Sequence, residues 1–381
     1  MFWLPTLCRP LHRLLLFLVS VLLTGCKTEI ETIEIDCEDA NEVWFEDVAN
    51  EVKIVPLISD EPIGSIKNMI CSGNEIIALD NDGKTIYYFE DGTLVSKMNH
   101  LGRGHGEYLE IKRYAYLPSR KILFVLSGNS VLWYSLPQMN FVGDTKVDFL
   151  IQYFSLHNDD TFFASINHNG KTETVLIDIN TGKIIKEIEE ISMYCGEESD
   201  ISMSSYSTKR HYYAKEGSDN TIVFVNNSNV AIPIIKYNFG ANSIPDKYLD
   251  YSIGNITGLA ELMQYMIENG DTRLQGNQLL RVDDEEVSFW YYHSMGSFEK
   301  FFYRFNVKNQ TYENLKGFRI MGINKPVYPI ALSDNGYVSL FDGNYESFLS
   351  NEKPCELAES IILEMKKQKL NNPVLLFYNI E

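Results

Sequence analysis

The chain is short of basic residues, of paired cysteines and of long apolar spans. Lys and Arg number 33 in 381 residues against 52 Asp and Glu, a net charge of -19. That sign excludes nucleic acid and flat adsorption on anionic lipid as partners, because both need a positive footprint. Six cysteines are present, but none form a Cys-x-x-Cys pair and no His stands at zinc spacing, so no metal centre is expected. Cys37, Cys71, Cys195 and Cys355 are too scattered for a disulfide framework and read as small apolar side chains. Gly-x-Ser-x-Gly and His-Glu-x-x-His are both missing, which removes two nucleophile and metal-hydrolase signatures. Nothing calls for a cofactor.

One apolar run does exist, Leu14 to Leu23 behind Arg9 and Arg13. It is too short to span a bilayer and reads as an export leader, residues 1–25. The run ends in Leu23-Thr24-Gly25-Cys26, which resembles the lipobox of bacterial lipoproteins. That resemblance implies a lipidated Cys26, with Cys8 lost in the leader. Acyl chains contribute about 0.8 kcal/mol per buried methylene, so two or three hold a protein on a membrane. Lys27 follows in place of the Asp that favours inner-membrane retention in some bacteria, which implies the outer membrane, on its periplasmic or outer face. The mature chain then carries 31 basic and 52 acidic side chains, net -21. Residues 26–50 are acidic and poor in turn residues, and are expected to be a tether. Residues 51–381 are expected to be the folded body.

From Val52 the pattern is short runs of β-formers broken by Asn, Asp, Gly and Ser. Ser65–Cys71, Glu75–Leu79, Thr85–Phe89 and Thr93–Met98 make one four-strand meander, with Asn-Asp-Gly and Glu-Asp-Gly at the turns. The meander recurs from Ile111, from Leu150, from Ile201 and from Gln275. A last set has only three strands, and Glu51–Leu57 supplies its fourth. Repeats of about 40 residues with four strands each are the signature of a propeller. The expectation is an all-β, six-bladed β-propeller of four-stranded antiparallel blades, closed by the N-terminal strand. Two helical insertions interrupt it, within Asp246–Gly270 and Pro354–Leu370. Leu259, Leu262, Met263 and Met266 form an apolar stripe in the first, expected to pack.

After the first meander stands Gly102-Arg103-Gly104-His105-Gly106-Glu107-Tyr108. With the opening "VKIVPLISDEPIGSIKNM", Asn220 to Gly240 and the closing "NNPVLLFYNIE", it resembles the six-bladed, NHL-like propeller lipoproteins of Gram-negative bacteria. Their hallmark is Gly-x-Gly-Pro-Gly-Glu, and His105 stands here where the family usually has Pro. The resemblance implies a fold and a cellular address, and no catalytic residue.

The same loop fails as a dinucleotide fingerprint, because its third glycine comes one residue early and a strand follows. Gly102, Gly104, Gly106 and Glu107 therefore read as a structural connector, with Arg103 and His105 left as candidate ligand-binding residues. "DNDGKTIYYFED" fails as an EF-hand at its fifth, sixth and twelfth positions. Ser297-x-x-Lys300 and Ser218-Asp219-Asn220 stand in the wrong order for a β-lactamase. Asp283–Glu286 reads as a solvated turn before it reads as an acid pair. In "SFWYYHS", strand alternation puts Trp290 and Tyr292 on the face opposite Phe289 and Tyr291. Core packing is the first expectation for these rings; the alternative makes Trp290 and Tyr292 a stacking surface for a sugar or peptide. The function expected is a lipid-anchored binding module for a glycan, peptide or protein at the cell envelope. The alternatives are a propeller hydrolase or lyase with its site in the central channel, and a structural partner of an outer-membrane complex.

Overall fold

The computed structural model describes residues 32–168, 171–188, 211–215, 220–225, 231–248, 256–269, 273–282, 285–293, 300–334, 336–368 and 370–380. Residues 1–25, expected as a leader, with Cys26, Cys195, Ile201–Ser207, Ser218, Asp219, Asp283, Asp284 and Ser297, lie outside them.

Three strands come first: β1 (Thr32–Glu34), β2 (Asn41–Trp44) and β3 (Ala49–Pro56), with a single helical turn, α1 (Phe45–Val48), between the last two. The meanders follow. They are β4–β7 (Ile66–Ser72, Glu75–Asp80, Ile86–Glu90, Thr93–Met98), β8–β11 (Arg113–Leu117, Ile122–Ser127, Ser130–Ser135, Asn140–Lys146) and β12–β15 (Ile151–Leu156, Thr161–His168, Lys171–Asp178, Ile184–Ile188). Then come β16–β18 (His211–Lys215, Asn220–Val225, Ala231–Asn238), α2 (Ile256–Asn269) and β19–β22 (Leu274–Val282, Glu286–His293, Lys300–Asn306, Thr311–Arg319). The chain ends in β23 (Pro329–Ser333), β24 (Gly336–Phe341), α3 (Glu356–Lys367) and β25 (Val374–Ile380). No helix among the described residues is long and apolar enough to cross a membrane.

These strands form an all-β propeller of four-stranded antiparallel blades. Tight turns make the meanders: Asp91 and Gly92 both hold positive φ, 48° and 79°, as a type I′ hairpin turn requires. The first strands of neighbouring sheets adjoin, β4 with β23, β23 with β19, β19 with β16, and β8 with β12. Apolar cores fill the spaces between consecutive sheets. Ile77, Tyr88 and Tyr108 pack against Tyr114, Leu123 and Tyr134 of the next sheet. Val55 and Leu375 of the closing sheet pack against Met69 and Phe89 of the first. Among the described residues, the sheets β4–β7, β8–β11, β19–β22 and β23–β25 bury both faces in this way. That is why middle strands such as β5 and β9 are apolar almost throughout, while the outer strand β7 alternates.

Two expectations need correction. Five sheets among the described residues have four strands, but the one built on β19–β22 has five. Its extra strand is β2, which runs parallel to β22. The second correction concerns residues 26–50, expected as a tether. Most of this segment is folded: β1 runs parallel to β18 as the outer strand of that sheet, β2 extends the next, and β3 pairs antiparallel with β25 in the one after. Phe45 is fully buried among Phe318, Tyr378 and α3. The acidic residues misled because strands on an outer edge turn one face to water; Ile35, Ala40 and Phe45 supply the apolar side. The folded body therefore begins by Thr32, not at residue 51.

The second helical insertion packs as its pattern implies, with Ala358, Ile361, Ile362 and Met365 buried. The first packs only in part: Leu262 and Met266 of the expected stripe are half-buried, while Met263 is 58% exposed, and Ile267 beside it is 67% exposed.

Candidate functional site

The connector from β7 to β8 is built around one carboxylate. Glu107 folds back so that the amide of Gly104 donates to its Oε2 at 2.7 Å. A Cβ on Gly102 would overlap that carboxylate, and one on Gly104 would lie 3.0 Å from it. The first two glycines thus clear space for Glu107. Gly106 differs: its φ is +74°, and a Cβ there would stand 2.6 Å from the Phe141 ring, so it needs both freedoms of glycine.

Two tyrosines fix the loop. Tyr108 is buried; its hydroxyl accepts from the amide of His100 at 3.0 Å and donates to the carbonyl of Lys84 at 2.8 Å. Burial pushes its phenol up to about 12, so it stays a neutral donor at any physiological pH. Tyr134 donates to the carbonyl of Gly106 at 3.0 Å. Leu101 and Tyr108 bridge across the base of the loop.

This fixed loop walls a cavity of about 310 Å³, completed by Ser127, Ser130, Leu132, Phe141, Asp144 and Lys146. Strand direction alternates within a sheet, so the β7–β8 and β9–β10 connections meet at the same end. His105 is exposed and sets its ring edge-on to Phe141, with centroids 4.7 Å apart. Arg103 is exposed, and no hydrogen bond or ion pair holds its guanidinium among the described residues. Lys146 and Asp144 pair loosely at 3.6 Å. The cavity thus offers an uncommitted cation, an imidazole, two hydroxyls and an aromatic wall.

Of the sequence candidates, Arg103 and His105 come together here, and Trp290 and Tyr292 do not. Trp290 is 3% exposed. It packs on Phe302 and Tyr328, and its indole N–H donates to the carbonyl of Pro329 at 2.9 Å. With ring and donor both used, it has no face left for a ligand. Tyr292 is half-buried on the same strand. The alternation itself is as expected: Trp290 joins the core toward β24 and β25, while Phe289 and Tyr291 join the core toward β18.

A second cavity, about 440 Å³, opens at the other end of the sheets, at the seam of β3 and β25 with β5. Its polar groups are largely satisfied internally. Asp91 accepts from Asn74 at 3.0 Å, Asp334 from the amide of Gly73 at 2.7 Å, and Glu51 from Asn379 at 2.8 Å.

Sequence reasoning missed two buried carboxylates. Glu75 is 7% exposed and accepts from Tyr88 and Lys121, and from Tyr116 at 2.9 Å. Tyr116 and Lys121 belong to the next sheet, so the carboxylate ties the two together. Glu286 is 4% exposed, which corrects the solvated-turn reading for this residue. It pairs with Arg304 at 2.7 Å and accepts from Tyr337 of the adjacent sheet. Each begins the second strand of its meander, a shared position that was the available signal. The aromatics of the pattern read only as apolar, while Tyr88, Tyr116 and Tyr337 also carry the hydroxyls that make such burial affordable. Of the described cysteines, Cys71 is buried and Cys37 and Cys355 are half-buried, and none forms a disulfide.

The family model described as domain of unknown function DUF4934 matches residues 30–379. The chain belongs to that family. The match supports the corrected boundary near Thr32. It does not reach the NHL-like lipoproteins as such, so that finer resemblance stays with the motif. Among solved structures, this DUF4934 chain is similar to a Bacteroides fragilis protein described as exported. The two are 15% identical, with a TM-score of 0.65 over 92% of this chain and 100% of that one. A DUF4221 family member from Bacteroides vulgatus is 11% identical, with a TM-score of 0.50 over 88% and 98%. At such identities the likeness is one of fold. No curated protein matches the sequence.

Proposed function

We propose that this chain is an exported, lipid-anchored, six-bladed propeller of NHL-like type that works as a binding module at the outer membrane. It captures a small polar ligand, a glycan or peptide, at the β7–β8 loop. The observation that carries this reading is the cavity beside that loop. Its wall is held by Glu107, Tyr108 and Tyr134, while exposed Arg103 has no hydrogen bond or ion pair among the described residues and exposed His105 touches only the Phe141 ring there. Rigid strands holding exposed polar side chains are the usual construction of a recognition surface. The leader and the Leu23-Thr24-Gly25-Cys26 stretch support export and lipidation, in keeping with the exported Bacteroides fragilis protein of the same fold.

The test is a glycan and peptide binding screen on the full chain in detergent, followed by Arg103→Ala. An exposed, unpaired residue should leave stability within about 0.5 kcal/mol. Affinity for the ligand should fall about tenfold or more, roughly 1.4 kcal/mol. A ligand bound equally well by the variant would move the site elsewhere; no ligand in either class would end the reading.

A further inference from the structure

The N-terminal strand limits how far the fold can stand from Cys26. Thr32 already lies in β1, opposite Lys236 of β18, and only residues 27–31 intervene. Fully extended, that stretch spans at most about 20 Å, against roughly 85 Å for a tether of the 25 residues first expected.

The same edge of the sheet carries the exposed helix. A Cβ on Gly240 would overlap the carboxylate of Glu34, so the end of β1 sits against the chain leaving β18. From there the chain runs through Asp246–Tyr248 to α2. Tyr265 of α2 stacks on Tyr248 with ring centroids 4.2 Å apart. Arg273, just past the helix, lies over Tyr265 and donates to the carbonyl of Ala241. The helix is therefore tied to the chain beside Glu34, the far end of β1, two residues past its entry at Thr32. Its other side leaves Met263 and Ile267 58% and 67% exposed, one turn apart on one face. Ala260 and Gln264 are also exposed, with Glu261 and Glu268 flanking them.

Resting on the reading that Cys26 is acylated, we infer that the chain is held edge-on, with Met263 and Ile267 of α2 seated in the bilayer surface. The occupant is a neutral, zwitterionic membrane. The short reach keeps this edge at the surface, two apolar side chains face outward there, and flanking acids on a chain of net -21 disfavour anionic headgroups. The loop cavity belongs to sheets β4–β7 and β8–β11, neither of which carries this edge, so it stays open to ligand.

Methionine oxidation reads this without labels, because its rate follows exposure to water. The full acylated chain in phosphatidylcholine–phosphatidylethanolamine vesicles is compared with Cys26→Ala in solution, using dilute peroxide and peptide mass analysis. Met321, 46% exposed, is the internal reference. Met263 should oxidise about fivefold more slowly on vesicles while Met321 is unchanged. Ile267→Glu should restore the oxidation of Met263 with the chain still vesicle-bound. Unchanged Met263 oxidation on an acylated chain would overturn the orientation and leave the anchor standing. Protection seen only with anionic lipid would overturn the neutral seat. An unmodified Cys26 in the same mass analysis would sink both anchor and orientation.

Discussion

Replacing Glu75 by Gln keeps the volume of the side chain and removes its charge from the junction of two sheets. Tyr88, Tyr116 and Lys121 all donate to this carboxylate. Hydrogen bonds to a charged group contribute about 1.5–3 kcal/mol net. The Lys121 ammonium is half-exposed and adds no more than about 1 kcal/mol after screening. The amide still accepts one bond, so the expected loss at pH 7 is about 2 kcal/mol. With a urea m-value of about 4 kcal/mol/M for a chain this long, the midpoint should fall by roughly 0.5 M. The pH dependence supplies the sharper test. Burial pushes the Glu75 carboxyl up, but bonds from Lys121, Tyr88 and Tyr116 outweigh it and hold it below its ordinary value of 4.5. A carboxyl lowered by folding contributes stability that is fully present above that value and is lost as pH falls through the folded one. The gap between wild type and Glu75→Gln should therefore be constant from pH 7 to about 5 and narrow below pH 4.5. Urea midpoints measured across that range decide it. A variant as stable as wild type at pH 7, or a gap that does not change with acid, would refute the view that this carboxylate joins the sheets as an anion.

Gly106→Ala should cost about 1–3 kcal/mol, from positive φ together with the contact to Phe141, and should weaken ligand capture by distorting the loop; thermal melts paired with the binding assay check both. Trp290→Ala should cost about 3–5 kcal/mol through the cavity it leaves. At a temperature where that variant is folded, its ligand affinity should match wild type, and a selective loss of binding would return Trp290 to the site.

Much of the fold was legible because strand signals are local. The β24–β25 pair and its closure by β3 follow from alternation, turn residues and the count of strands left over. The GRGHGE loop was legible as a connector, since the strand after it excludes a phosphate-binding helix. The roles inside it were not. Nothing in the spacing says that Gly102 and Gly104 make room for Glu107 while Gly106 answers to Phe141, 35 residues on. Trp290 shows the reverse failure. An aromatic run is equally compatible with a core and with a stacking face until the neighbours on both sides are known.

By itself the sequence determined the all-β repeat, the position of its closing strand and the acidic balance of the chain, because each depends on composition or on residues close together in the chain. Tertiary structure alone decided which carboxylates are buried, that the N-terminal segment runs along three sheet edges, and that α2 leaves Met263 and Ile267 outward. Those outcomes depend on contacts between residues tens to hundreds of positions apart. Asn314 donating to the carbonyl of Asp36, at a separation of 278, is one such contact. No local pattern encodes which distant partner will fill an open edge or quench a buried charge.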